Sequence, residues 1–237
     1  MTKTRLDQLL VQKGLVSSRS QAESWIGLGK VTVDGRVASK SGLFVRDNAD
    51  VRLTAIEQYV SRAGLKLASV ARLLNVDFKS KTVLDVGSST GGFTDYALQH
   101  GASKVIAVDV GTEQLHPSLR GDARIELHEK TDIREFATDS HIDIVVIDVS
   151  FISLRDILPS VAKIAPKAQI VAMVKPQFEA GREQVNKGVI KNDAIRRQIL
   201  HDFETWAKAT FVIIDKRDSE VSGSKGNKER FYLLKSL

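Results

Sequence analysis

Cysteine is absent from this chain of 237 residues. No disulfide framework, thiolate metal site or cysteine nucleophile is therefore possible, which suits a reducing cytoplasm. Long apolar runs are also missing. No stretch approaches the ~18 uninterrupted apolar residues of a membrane span, and Met1 to Asp7 offers no apolar core for a signal peptide. There is no internal repeat and no low-complexity tract. What remains, 42% hydrophobic and 27% charged residues, is the balance of a soluble globular protein. A cytoplasmic protein that does not enter membranes is expected.

The charge is placed unevenly. Residues 1–72 hold 12 Lys/Arg and 6 Asp/Glu, a net of +6, which is the net charge of the entire chain. Basic clusters gain affinity for phosphates by releasing condensed counterions, so a polyanion contacted by the first third is the natural reading. A merely solubilising surface is the plain alternative.

That first third reads as two short helices and a hairpin. Leu6, Leu9 and Leu10 form an i, i+3, i+4 stripe that Gly14 can end. Ser18 and Gln21 have capping-box spacing and open a second helix, with Ala22, Trp25 and Ile26 inward and Gly29 closing it. Val31 to Val37 then alternates around Asp34-Gly35, a strong hairpin signal, and Val51 and Leu53 suit a further strand. We place a small α+β module at residues 1–58.

From Tyr59 the periodicity changes. A helical pattern (Leu65, Leu67, Val70, Leu73, Leu74) leads into Thr82-Val83-Leu84-Asp85-Val86-Gly87. Similar apolar runs end at Asp109, Asp148 and Lys175, with helical segments at 93–99, 154–164 and 194–207 between or after them. Strands buried on both faces and alternating with helices predict a parallel, doubly wound α/β sheet over residues 59–237. Phe211 to Ile214 and Arg230 to Leu234 would add two late strands, and the loop from Ser222 to Asn227 has a flexible composition. In open α/β sheets the ligand crevice lies at the carboxyl ends of the strands, where three aspartates and a lysine are delivered here.

The first of those ends carries Asp85-Val86-Gly87-Ser88-Ser89-Thr90-Gly91-Gly92-Phe93-Thr94. Its glycines let backbone approach a ligand, and the following helix N-terminus offers unpaired N–H donors. A dinucleotide loop needs G-x-G-x-x-G, yet Ser89 stands where its second glycine belongs. The pattern instead suits the amino-acid part and ribose of S-adenosylmethionine. Asp109 can take both ribose hydroxyls, and Asp132 can accept from the adenine amino group. Helix capping is the plain alternative for either carboxylate. Four further ionisable groups stand out. Lys66 lies on an otherwise apolar helix face, where snorkelling is the alternative. Lys175 follows five apolar residues, so its charge needs a partner. Asp148 ends a strand, and Glu229 opens the last one.

Lys66, Asp148, Lys175 and Glu229, in this order, resemble the Lys-Asp-Lys-Glu tetrad of FtsJ-like ribose 2′-O-methyltransferases. The segment from Arg5-Leu6-Asp7 through Ser18-Arg19-Ser20 to Gly29-Lys30-Val31 resembles the RNA-binding domain named for ribosomal small-subunit protein four. Joined to Ser61-Arg62-Ala63-Gly64-Leu65-Lys66-Leu67, Val174-Lys175-Pro176-Gln177-Phe178-Glu179 and Gly226-Asn227-Lys228-Glu229, these motifs resemble the TlyA family over nearly the whole chain. The resemblance implies a Rossmann-like S-adenosylmethionine-dependent methyltransferase with a small RNA-binding domain. Its implied partner is ribosomal RNA or a ribosomal subunit. Lys66, Asp148, Lys175 and Glu229 would be catalytic. Asp85, Gly87, Ser88, Ser89, Gly91, Gly92, Phe93, Thr94, Asp109 and Asp132 would bind the cofactor.

Within the basic third, Arg5, Arg19 and Lys30 are the candidates for RNA contact, with ordinary solvated charges as the alternative. Asp148-Val149-Ser150-Phe151 replaces the N/D-P-P-Y signature of amino-group methylation, which argues for an oxygen target. A ribose hydroxyl is a poor nucleophile until its proton starts to leave, and a buried lysine can take it, so Lys175 is the expected base with Lys66 as a like charge nearby. No metal is required. The competing readings are an RNA-binding protein without catalysis and a membrane-active haemolysin, a label that TlyA relatives often carry; a nucleotide-dependent oxidoreductase is weakened by Ser89. A cysteine-dependent pyrimidine methyltransferase is excluded by composition.

Overall fold

The computed structural model describes residues 2–16, 18–55, 58–181, 188–190, 192–223 and 226–237. The N-terminal part contains β1 (Lys3–Arg5), α1 (Leu6–Gln12), α2 (Arg19–Gly27), β2 (Val31–Val33), β3 (Arg36–Val37), β4 (Phe44–Arg46) and β5 (Val51–Leu53). The helices follow the apolar stripes: Leu6, Leu9, Leu10, Ala22, Trp25 and Ile26 are all buried. The Ser18 hydroxyl accepts the backbone N–H of Gln21 at 3.2 Å and caps α2. The buried Gln21 side chain donates to the Tyr59 carbonyl at 2.7 Å. Asp34 and Gly35 both have positive φ, 48° and 79°, as the tight hairpin turn between β2 and β3 demands. β5 pairs with β2, Val31 opposite Leu53. The short β1–β4 pair, Thr4 opposite Val45, was not expected, because three-residue strands leave no readable alternation.

The second part runs α3 (Arg62–Ala71), β6 (Thr82–Val86), α4 (Gly92–Gln99), β7 (Lys104–Val108), β8 (Ile125–His128), β9 (Ile144–Ile147), α5 (Leu154–Ile164), β10 (Gln169–Val174), α6 (Pro176–Glu179), α7 (Asp193–Ala207), β11 (Phe211–Asp218) and β12 (Arg230–Ser236). α3 ends before Leu73, which is 56% exposed rather than part of the apolar stripe. Seven strands form one sheet in the order β11-β12-β10-β9-β6-β7-β8. Its pairs from β8 to β10 are parallel, as expected. β12, one of the two late strands whose direction the sequence left open, runs antiparallel to both β10 and β11. Among the described residues, the connection from β11 to β12 contains no crossover helix, and a parallel return would need one. In the flexible-looking loop, Ser224 and Lys225 lie outside the described residues.

Alternate residues of the strands serve opposite faces. Val83, Val105, Val146, Met173 and Phe231 join a cluster with α3 and α4, whereas Leu84, Ile106, Val145, Ala172 and Tyr232 join one with α5 and α7. The first cluster continues into Leu6, Leu10 and Trp25 of the N-terminal part. Chain order reverses at β6, which has β7 on one side and β9 on the other. A crevice at the carboxyl ends of those strands follows.

Candidate active site

At that crevice lies a cleft of about 520 Å³ whose lining includes Gly87, Ser89, Asp109, Asp132, Asp148 and Ser150, within the size range of small-molecule sites. Gly87 has φ +80°, and a Cβ there would stand 2.9 Å from the Asp148 carbonyl oxygen, so the floor must be bare backbone. Gly91, at φ +87°, caps α4 in the left-handed region. One carboxylate ties the loop to β7: Asp109 accepts from Ser89 N and from Gly111 N, both at 2.7 Å.

Not every cofactor candidate reaches the cleft. Asp85 is fully buried behind it and accepts the Thr94 hydroxyl at 2.7 Å. Burial pushes its carboxyl up to about 7, and the charges of Asp148 and Asp109 push the same way. Phe93 packs against Phe231 with ring centroids 6.0 Å apart, while Gly92 abuts α3. These residues shape the loop from behind. Asp132 does line the cleft, but Arg134 grips both its oxygens, at 3.0 and 2.6 Å, and holds its carboxyl below the usual range. Gln114, which accepts the Ser89 hydroxyl at 3.0 Å, and Arg134 also border the cleft. Sequence reasoning passed over both because neither sits in a recognisable motif.

An adenosyl cofactor fits what is present. Gly87 provides bare backbone at the floor, and Asp109 stands at the second strand end with Ser89 and Gln114 beside it on the cleft wall.

Four ionisable groups gather at the same rim. β9, β10 and β12 are neighbours, and Val174 pairs with Arg230. The antiparallel course of β12 therefore brings Glu229, just before it, beside Lys175, just after β10. Asp148 follows β9. α3 supplies Lys66 from above the sheet. The groups form two ion pairs: Lys66 Nζ to Glu229 Oε2 at 2.5 Å, and Lys175 Nζ to Asp148 Oδ1 at 2.6 Å. Each lysine thus has its own carboxylate, so Lys66 is not a bare cation acting on Lys175. Lys66, Lys175 and Glu229 are all less than a tenth exposed. Burying such charges is costly without partners, so each pair is held in one arrangement by its own desolvation. Lys175 also donates to Ser150 Oγ at 2.8 Å.

In the N-terminal part, Arg5 and Arg19 converge on one fully buried carboxylate. Asp7 accepts from Arg5 Nη2 at 3.0 Å and from Arg19 Nη2 at 2.7 Å, and these bonds hold its carboxyl down at about 2. The arginine side chains stay 36% and 51% exposed. Lys30 is exposed at the end of α2's connection to β2.

Comparison with known proteins is consistent across the chain. The FtsJ-like methyltransferase family matches residues 59–236, and the S4 domain family matches residues 4–51. The 16S/23S rRNA (cytidine-2′-O)-methyltransferase TlyA of Mycobacterium tuberculosis is 37% identical over 242 residues, covering 99% of this chain and 90% of that protein. Hemolysin A of Brachyspira hyodysenteriae is also 37% identical, covering 95% of this chain and 97% of its own. A solved structure named as a hemolysin, from Streptococcus thermophilus, superposes with a TM-score of 0.74 at 38% identity, covering all of this chain and 89% of that one.

Proposed function

Since the chain belongs to the FtsJ-like methyltransferase family, in its TlyA branch with an N-terminal S4 domain, we propose that it methylates a ribose 2′-oxygen of ribosomal RNA through Lys66, Asp148, Lys175 and Glu229. The pairing of Lys175 with Asp148, which lines the glycine-floored cleft, carries this reading. Gly87, Ser89, Asp109 and Asp132 are the residues of this chain that would hold S-adenosylmethionine, which when bound would supply an electrophilic methyl carbon that bonds to the ribose oxygen as its bond to sulfur breaks and a neutral thioether leaves.

The protein's work is positioning and proton management. Lys175 is the base that takes the hydroxyl proton as the oxygen attacks, and Asp148 stabilises the resulting ammonium. Lys66 and Glu229 form the second wall of the hydroxyl site. Residues 1–58, which include Arg5, Arg19 and Lys30, dock the RNA through its phosphates, and residues 59–237 carry the chemistry. A ribosomal subunit and a cytoplasmic setting follow from such a substrate. As for the haemolysin name of some relatives, no helix among the described residues is long and apolar enough to cross a membrane.

Single-turnover transfer of labelled methyl to ribosomal RNA tests the assignment. Lys175→Ala should abolish transfer while leaving cofactor and RNA affinities near wild type, because the lost contact is made mainly in the transition state. Lys175→Arg should be nearly as damaging, since guanidinium keeps the charge but cannot accept a proton. Near-normal transfer by Lys175→Ala would sink the tetrad, and strong transfer by Lys175→Arg would retain the site but remove Lys175 as base.

A further inference from the structure

We propose that Ser150 is a positioning residue that aims the Lys175 amine at the substrate hydroxyl, an inference that rests on Lys175 acting as the base. An ammonium has three N–H donors, whereas the neutral amine has two and a lone pair. Lys175 Nζ forms an ion pair with Asp148 Oδ1 at 2.6 Å and donates a hydrogen bond to Ser150 Oγ at 2.8 Å. The contact with Asp148 is an ion pair without hydrogen-bond geometry, so the bond to Ser150 is the one that fixes an N–H of the neutral amine and with it the rotation about Cε–Nζ; the attraction of Asp148 then selects the second N–H, which leaves the lone pair in the remaining tetrahedral direction. With Asp148 alone, the amine would rotate about the Cε–Nζ bond and its lone pair would have no fixed aim. Ser150 removes that freedom. The amine takes the ribose proton along the fixed direction, and the ammonium so formed keeps both contacts.

The position of Ser150 is itself built. Phe151, the next residue, has φ +65° and is 92% exposed. Its ring lies 5.1 Å from that of Phe178, three residues past Lys175. Glu179, with its side chain 1% exposed, closes the far end of the turn, accepting from Ser153 Oγ at 2.6 Å and from Leu154 N at 2.7 Å. The segment after β9 is therefore fastened to the segment after β10 at both ends, and Ser150 is held facing Lys175 rather than carried on a free loop. Asp148 and Ser150 both line the cleft, which places the aimed amine beside the space where the methyl donor would sit.

The experiment compares Ser150→Ala, Ser150→Thr and Lys175→Ala in single-turnover methyl transfer to ribosomal RNA, with calorimetry of S-adenosylmethionine binding to each. Ser150→Ala should slow transfer about tenfold or more, the scale of one lost hydrogen bond to a charged group, with cofactor affinity unchanged. Ser150→Thr keeps the hydroxyl and should restore the rate to near wild type. Wild-type transfer by Ser150→Ala, equal slowing by Ala and Thr, or a loss of cofactor affinity that accounts for the slowing would each overturn the proposal while leaving Lys175 as base if Lys175→Ala is inert. An active Lys175→Ala would overturn Lys175 as the base, and with it the tetrad on which this proposal rests.

Discussion

Gly64 and Gly92 touch backbone to backbone. A Cβ on Gly64 would lie 2.9 Å from the Gly92 carbonyl oxygen, and a Cβ on Gly92 would lie 2.9 Å from the Gly64 amide nitrogen. α3 is thereby seated directly on the N-terminus of α4, and Lys66, two residues past Gly64, is delivered to Glu229. The same contact joins the glycine loop that opens α4 to α3, which carries Lys66.

Gly64→Ala should therefore push α3 outward. Overpacking of this kind costs about 1–3 kcal/mol, and the displaced Lys66 should lower methyl transfer by more than the stability loss explains. Urea unfolding together with single-turnover assays at a temperature where the variant is fully folded separates the two effects. A folded Gly64→Ala protein with wild-type transfer would show that Lys66 does not need this seat.

Asp85 makes stability depend on pH. Its carboxyl titrates near 7 in the folded chain against an ordinary value of 3.8, mainly because it is buried. Between those values the folded state holds a proton that the unfolded state has released. Its contribution to stability is therefore fully present below about 4, declines as pH rises toward 7, and is lost above. Glu179, also pushed up by burial, bends the wild-type curve the same way, so the difference between variant and wild type is the quantity to follow. Asp85→Asn, which can still accept the Thr94 hydroxyl, should gain in stability relative to wild type between pH 5 and pH 8. A difference that does not change with pH would show that Asp85 ionises normally.

Arg5 and Arg19 should act on RNA as a pair, because Asp7 holds both guanidinium groups side by side. Arg5→Ala or Arg19→Ala should weaken ribosomal RNA binding and reduce the slope of log affinity against log salt by about 1 each. Filter binding across a salt series measures both quantities. Unchanged slopes in both variants would make the two arginines a structural clamp on Asp7 and move the phosphate contacts elsewhere.

Much of this architecture was readable along the chain because the forces behind it are local or periodic. The apolar runs marked β6, β7, β9 and β10, since a strand buried on both faces has to be apolar throughout. Asp34-Gly35, Gly14 and Gly29 marked turns at positive φ, which few other residues tolerate, and Ser18 marked a helix cap through its hydroxyl. The tetrad was legible only as a pattern of charges at strand ends joined to a family likeness. Which lysine meets which carboxylate was not. Lys66 and Glu229 are 163 positions apart in sequence and become partners only because β12 runs antiparallel beside β10 and α3 rests on Gly92. The grip of Arg134 on Asp132, the sharing of Asp7 by two arginines and the contact of Ser150 with Lys175 belong to the same class. Rotamers and hydrogen-bond partners are chosen by what packing brings within 3 Å, and no periodicity in the chain records that choice.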